Sequence, residues 1–208
     1  MNKLKLIGLL AGVSGALCAQ EMPRFTFSAG AGFSTPVGRT SSRSVDTGWN
    51  VRGGAGVNIS PNFGLTVDAG YDSMGISSPM LNNLGYGGGN LNIFSLTLNP
   101  IVHLTPRSNV DVYVTGGGGL FRQQQEFTQP GVANGVGFDP FFGFYPYASP
   151  VDVVVSSYSV NKPGVDLGAG IAFGKKWGGK FFAEARYNRI FIGDRHTDYI
   201  PVTFGFRR

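Results

Sequence analysis

The sequence predicts an all-β fold, a transmembrane eight-stranded antiparallel up-and-down β-barrel, and three observations lead there. After the N-terminal segment, apolar and polar residues alternate through eight separate stretches, the period of a strand with two unlike faces. The links between those stretches alternate between tight turns and longer connections, as in a barrel that crosses an outer membrane with short turns on one side. The third observation is composition: 33 of 208 residues are glycine, 13% are aromatic, 14% charged and 42% hydrophobic. An average globular chain holds about 7% glycine and about 25% charged residues. So many glycines would cost helices roughly 1 kcal/mol apiece, which excludes a coiled coil or helical bundle. Collagen needs a strict three-residue glycine period, and none is present. The hydrophobic content excludes a disordered chain.

The first element is a leader. Met1-Asn2-Lys3-Leu4-Lys5 is a basic start, Leu6 to Leu17 is apolar but short, and Ser14, Ala16 and Ala19 are small. Residues 1–19 therefore read as a signal peptide cleaved near Ala19, and residues 20–208 as the barrel domain. Leu17 stands where a lipoprotein would need a small residue before Cys18. The single cysteine leaves with the leader or sits at its edge, so the mature chain has neither a disulfide nor a thiolate metal site. Loss of Lys3 and Lys5 lowers the formal charge from +5 to +3. The basic residues form no stripe that would suit nucleic acid; Lys175, Lys176 and Lys180 surround a turn signal, Trp177-Gly178-Gly179. After the leader, no stretch approaches the ~20 apolar residues of a membrane helix, so any crossing must use strands.

The strands follow in order. Phe25, Phe27, Ala29, Ala31 and Phe33 alternate with Thr26, Ser28, Gly30 and Gly32. Trp49, Val51, Gly53, Ala55 and Val57 alternate with Asn50, Arg52, Gly54, Gly56 and Asn58. Leu65, Val67, Ala69 and Tyr71 stand against Thr66, Asp68, Gly70 and Asp72. Phe94, Leu96, Leu98 and Val102 oppose Ser95, Thr97, Asn99 and His103. The fifth runs from Val110 to about Phe121, with Val110, Val112, Val114 and Leu120 on one face and Asp111 and Thr115 on the other. Val165, Leu167, Ala169, Ile171 and Phe173 oppose Asp166, Gly168, Gly170 and Ala172. Phe181, Ala183, Ala185 and Tyr187 oppose Glu184, Arg186 and Asn188. Ile200, Val202, Phe204 and Phe206 end the series against Thr203 and Gly205.

Short turns are expected at 60–64, 105–109 and 175–180. Longer links are expected at 34–48, 73–90, 122–163 and, less extended, 192–198. A soluble sandwich has no reason to sort loop length by parity. An apolar face that meets lipid and a small, polar lumen face fit eight strands, whose interior has room only for packed side chains. Closure also satisfies every backbone donor without water. Phe25, Trp49, Tyr71, Phe173, Phe181, Tyr187 and Phe206 lie near strand ends, where an aromatic girdle belongs.

The stretches Phe27-Ser-Ala-Gly-Ala-Gly-Phe33 and Gly53-Gly-Ala-Gly-Val57, with the ending Tyr199-Ile-Pro-Val-Thr-Phe-Gly-Phe206, carry a family resemblance. The mature chain resembles the bacterial outer-membrane β-barrel domain family, whose best-known relatives are the eight-stranded OmpA and OmpX types. The resemblance implies an integral outer-membrane protein, surrounded by outer-membrane lipid and lipopolysaccharide and inserted by the barrel assembly machinery. The family's C-terminal assembly signal ends on an aromatic residue, whereas Arg207 and Arg208 follow Phe206 here.

Arg52, Asp68, Asp111, Asp166, Glu184 and Arg186 share the lumen face, where lone charges are costly, so they are expected to pair across strands as an internal plug. The alternative for these residues is a gated ion path. Val112-Tyr-Val-Thr-Gly-Gly-Gly-Gly-Leu120 imitates a dinucleotide-binding loop, but no helical stripe follows it. His103 reads as a lumen-rim residue and His196 as part of an outer loop. Two histidines are too few for an all-histidine metal site. No catalytic residue, cofactor or metal is therefore assigned, and no enzyme is expected.

Phe138, Phe141, Phe142, Phe144, Tyr145 and Tyr147 form an aromatic cluster in the longest loop. It is either a surface for an unknown extracellular ligand or a small core of its own, packed on itself or on the barrel rim. The latter is the expectation; Val151 to Val160 can extend the sixth strand beyond the membrane, with Pro163 arguing against continuity. The functional reading is a monomeric outer-membrane protein with a structural or surface-interaction role and no nucleic-acid partner. A small passive channel similar to the OmpW type and a rim-located lipid-modifying enzyme are the rivals.

Overall fold

The computed structural model describes residues 24–38, 41–106, 108–174, 179–193 and 195–208. The signal peptide assigned to residues 1–19, and Lys175, Lys176 and Trp177, lie outside these. Eight strands follow in chain order: β1 (Phe25–Val37), β2 (Gly48–Ser60), β3 (Phe63–Gly75), β4 (Gly88–His103), β5 (Val110–Asp139), β6 (Gly143–Gly174), β7 (Lys180–Ile192) and β8 (Arg195–Arg207). Each pairs antiparallel with its neighbours, and β1 pairs with β8 from Ser28↔Arg207 to Val37↔Asp198, so the sheet is a closed barrel. The predicted fold class is the observed one.

Glycine permits that closure at the seam. Gly32 lies opposite Thr203 of β8, and a Cβ there would overlap the Val202 carbonyl oxygen. Any side chain would hold β1 away from β8.

One end of the barrel carries the links 61–62, 104–109 and 175–179 together with both ends of the described chain; it is the turn end. The other end carries two short helices, α1 (Ser41–Ser44) and α2 (Ser78–Leu84), in the first two connections. Neither helix shows in the sequence pattern, because neither has length enough for an apolar stripe. A bridge between Val45 and Ile76 ties the two connections together.

The other two connections at this end differ from expectation. β7 ends at Ile192 and β8 begins at Arg195, so most of the expected 192–198 link is strand. The expected 122–163 loop is strand almost throughout, with β5 and β6 paired up to Asp139↔Gly143 and one register shift between Phe127 and Thr128. Loop length alone therefore does not separate the two ends; the distance each hairpin rises does. Pro163 does not interrupt β6. Pairing with β7 begins only at Gly164↔Ile190, so one edge of β6 is already open at Pro163 and a residue without an N–H is tolerated.

The outer face is apolar and exposed at Val51, Val67, Leu96, Leu98, Leu120 and Leu167, as a lipid-facing wall requires. The interior is less uniformly small and polar than the sequence pattern predicts. Met74, Leu91, Ile93, Phe121, Ile190 and Tyr199 form a buried apolar cluster, and Ile101, Tyr113, Ala172 and Phe182 form a second. Charged residues lie in the layer between them.

Candidate functional site

That layer is centred on Arg186, which β7 directs into the lumen beside Glu184, two residues earlier on the same face. Arg186 Nη1 lies 2.8 Å from Asp68 Oδ2 of β3 and 3.0 Å from Asp166 Oδ2 of β6, and Nε donates to Glu184. Asn99 of β4 donates to Asp68 at 2.8 Å and to Asp166 at 3.2 Å. All these side chains are buried. One guanidinium with five fixed donors suits three carboxylates better than an ammonium would. The cluster crosses the lumen, joining β3, β4, β6 and β7 through it.

The remaining two of the six charges lie elsewhere. Asp111 is near the turn end, 2.6 Å from His103 Nδ1 and 3.9 Å from Lys180 Nζ. Arg52 faces Asp68 and Asp72 electrostatically but makes no ion pair within 4.0 Å among the described residues. His103 lies at the lumen rim as expected, whereas the sequence pattern does not single out Asn99 and Arg207 as members of this interior network. His103 pairs with Asp111, Asn99 bridges two carboxylates, and Arg207 closes the turn end. Arg207 lies over the Tyr113 ring at 4.4 Å and the Phe182 ring at 5.3 Å, with Nη2 3.7 Å from Glu184. Strand parity alone places Asn99 and Arg207 inside; their partners need the register.

Above this cluster runs a second layer, centred on Asp72 and Asn50. Ser34 donates to Asp72 at 2.5 Å, the Tyr199 hydroxyl donates to the same carboxylate at 3.2 Å, and Thr203 donates to Asn50 at 3.0 Å. Both layers link strands that are not neighbours in the sheet.

On the outer wall the aromatic residues fall into two groups. Trp49 and Tyr71 lie 5.2 Å apart, and Phe94, absent from the sequence selection, continues the row at 4.6 Å from Tyr71. At the turn end Phe173 is paired opposite Phe181, and Phe181 meets Phe206 edge-on at 5.6 Å. Phe25 lies at the same end of β1. Tyr187 lies toward the ribbon end, where its hydroxyl accepts from Arg189 at 2.8 Å.

The β5–β6 hairpin is the most prominent feature. β4 stops pairing at Gly88↔Thr128, and from there to Asp139 the ribbon rises eleven residues, about 36 Å. Phe138 and Phe144 pair at 5.1 Å on one face. On the other, Tyr147 and Tyr145 lie flat across Gly135 and Gly137, where an added Cβ would meet the rings at 2.6 Å. Asp139 Oδ1 accepts from the Phe141 and Phe142 N–H groups at 2.8 and 3.1 Å, and Gly143 closes the turn at φ +79°. The turn holds Phe141 and Phe142 outward, 91% and 88% exposed. The expected self-contained core is therefore corrected. One ring pair, Phe138 with Phe144, and two tyrosines lying over glycines line a two-stranded ribbon that has too little thickness to cover both faces.

His196 Nε2 lies 3.5 Å from Asp198, whose two oxygens each accept from Arg189 at 2.9 Å. Gly116 to Gly119 lie within β5. Among the described residues no group of His, Cys, Asp or Glu is arranged to hold a metal ion.

A closed, antiparallel ring with an apolar outer wall, aromatic rows at its ends and a charged interior defines an eight-stranded membrane barrel. The chain belongs to the outer membrane protein β-barrel domain family, whose model matches residues 6–207. Among solved structures it is similar to the Neisserial surface protein A, with 16% identity and a TM-score of 0.58 over 90% of this chain and 98% of that one. It is also similar to a major outer membrane protein from Thermus thermophilus, with 12% identity and a TM-score of 0.56 over 88% and 97%. No curated protein sequence matches.

Proposed function

We propose that this is an integral outer-membrane protein whose barrel is a non-conducting stand for the β5–β6 ribbon, displayed outside the cell as a surface for binding. The exposure of Phe141 and Phe142 at the tip is the observation that carries this reading. A turn braced by Asp139 to hold two phenylalanines in water has no folding benefit, and exposed apolar patches of this kind mark interaction sites. Between Phe127 and Asn161 the only charges are Asp139 and Asp152, so the partner surface is apolar or neutral. The cross-lumen cluster of Arg186 weighs against the channel reading. His196 faces a carboxylate already engaged by Arg189, which weighs against a histidine-activated hydrolase at the rim.

In this reading the chain is exported by the leader 1–19, inserted by the assembly machinery and held as a monomer among lipid and lipopolysaccharide. Arg52, Asp68, Asp111, Asp166, Glu184 and Arg186 stabilise the interior. The two aromatic rows fix the barrel's depth, and the ribbon bears the recognition residues Phe138, Phe141, Phe142, Phe144, Tyr145 and Tyr147.

The test is adherence of cells to hydrocarbon-coated beads. Cells carrying the full chain are expected to adhere, and cells carrying a chain with 129–153 replaced by an Asn-Gly turn are not. Phe141→Ser with Phe142→Ser is expected to remove most of the difference. Equal adherence of all three, with equal amounts of heat-modifiable barrel in the membrane, would overturn the proposal.

A further inference from the structure

The ribbon end of the barrel is not flush. It holds a recess of about 930 Å³, within the size range of small-molecule sites. Its wall is apolar where the loops and strands converge: Val45 after α1, Met74 of β3, Met80 of α2, Leu91 of β4 and Ile192 of β7. Val45 and Ile192 pack directly on the buried cluster of Met74, Leu91, Ile93, Phe121, Ile190 and Tyr199, which forms the floor. Beneath it the Ser34–Asp72–Tyr199 hydrogen bonds and then the Arg186 cluster span the lumen. The recess is therefore floored by buried side chains.

The rim has a sign. Gln123 and Gln125 supply amide groups from β5, and Arg195 and His196 line the β8 side. Asp198 is the single acidic residue in the lining, and Arg189 grips both of its oxygens from outside the barrel. Arg195 has no carboxylate within 4.0 Å among the described residues and is exposed. An apolar cup below a guanidinium without a carboxylate partner among the described residues matches a molecule with an apolar tail and an anionic head, because Arg195 can make a charge-assisted contact to that head.

We propose that this recess binds a single-chain amphiphile with an anionic head, the chain lying against Met74, Leu91 and Ile192 and the head meeting Arg195. Nothing in the proposal depends on the ribbon, so it stands or falls separately from the binding surface proposed above.

The probes are decanoate, decyltrimethylammonium and decyl maltoside, each below its micelle concentration. They are titrated calorimetrically into the full chain in lipid nanodiscs, against empty nanodiscs. Saturable one-to-one binding of decanoate is expected, at least tenfold tighter than either other head group. Arg195→Gln is expected to weaken decanoate about tenfold and to abolish the head-group preference. Val45→Trp, or Met80→Trp on the exposed helix should the first not fold, is expected to abolish binding by filling the cup. Decanoate uptake no greater than that of empty nanodiscs, equal affinity for the three heads, or undiminished binding in a folded filled variant would each overturn the proposal.

Discussion

Arg186 and Asp68 sit on β7 and β3, strands on opposite sides of the eight-membered ring, yet their side chains meet at 2.8 Å. The barrel is thus braced through its interior as well as around its wall. Removing one partner from such a group strands the others, and a buried charge without a partner costs about 3–5 kcal/mol. Arg186→Leu is expected to lower stability by about that amount in urea unfolding of the detergent-folded barrel. Neutralising the group together, as Arg186→Leu with Asp68→Asn, Asp166→Asn and Glu184→Gln, is expected to recover most of the loss. A quadruple variant no better than the single one would contradict the bracing account.

Arg207 and Arg208 part company at the C-terminus. Arg207 turns inward over Tyr113 and Phe182, while Arg208 is exposed and exchanges backbone hydrogen bonds with Phe27. Arg207→Ala is expected to cost about 1–2 kcal/mol, the scale of a desolvated cation over a ring with an ion pair added. Arg208→Ala keeps its backbone bonds and is expected to match the parent in the same unfolding experiment.

The β1–β8 seam is sensitive to one missing atom. Gly32→Ala puts a methyl group into the Val202 carbonyl, so folded yield on a heat-modifiability gel should fall sharply, with about 2 kcal/mol or more of strain in whatever folds. Gly53→Ala is the matched control. Its Cβ would meet nothing nearer than the Ser28 carbonyl oxygen at 3.8 Å, and yield is expected to be unchanged.

Asp139 sets the orientation of the ribbon tip by accepting two backbone N–H groups. Asp139→Ala frees both, a loss of about 1 kcal/mol for the turn. Amide exchange at Phe141 and Phe142 should speed up about fivefold, with the barrel amides unaffected.

Period-two patterning is enough to reveal the barrel and to assign Asp68, Asp166 and Arg186 to its interior, because parity along a strand determines the face. Height within the lumen is not legible, since it depends on the register between strands. Asp111 shares a face with Asp166 yet pairs with His103 near the turn end, and Arg52 faces its acids without touching them. The ribbon reads as a loop in the sequence because Gly131, Gly135, Gly137, Pro146 and Pro150 break the strand pattern. Cross-strand pairing such as Val136↔Pro146 and Gly135↔Tyr147 overrides that local signal. The apolar lumen clusters are hidden for a related reason: Phe121 and Phe182 lie at the ends of alternating runs, where large apolar residues break the polar parity of the inner face.

Conductance of the purified full chain in a planar bilayer tests most directly whether this barrel is a stand for an external surface. With Arg186, Asp68, Asp166 and Glu184 joined across the lumen, a silent bilayer is predicted. Steady, reproducible unitary openings from the unmutated protein would contradict the account.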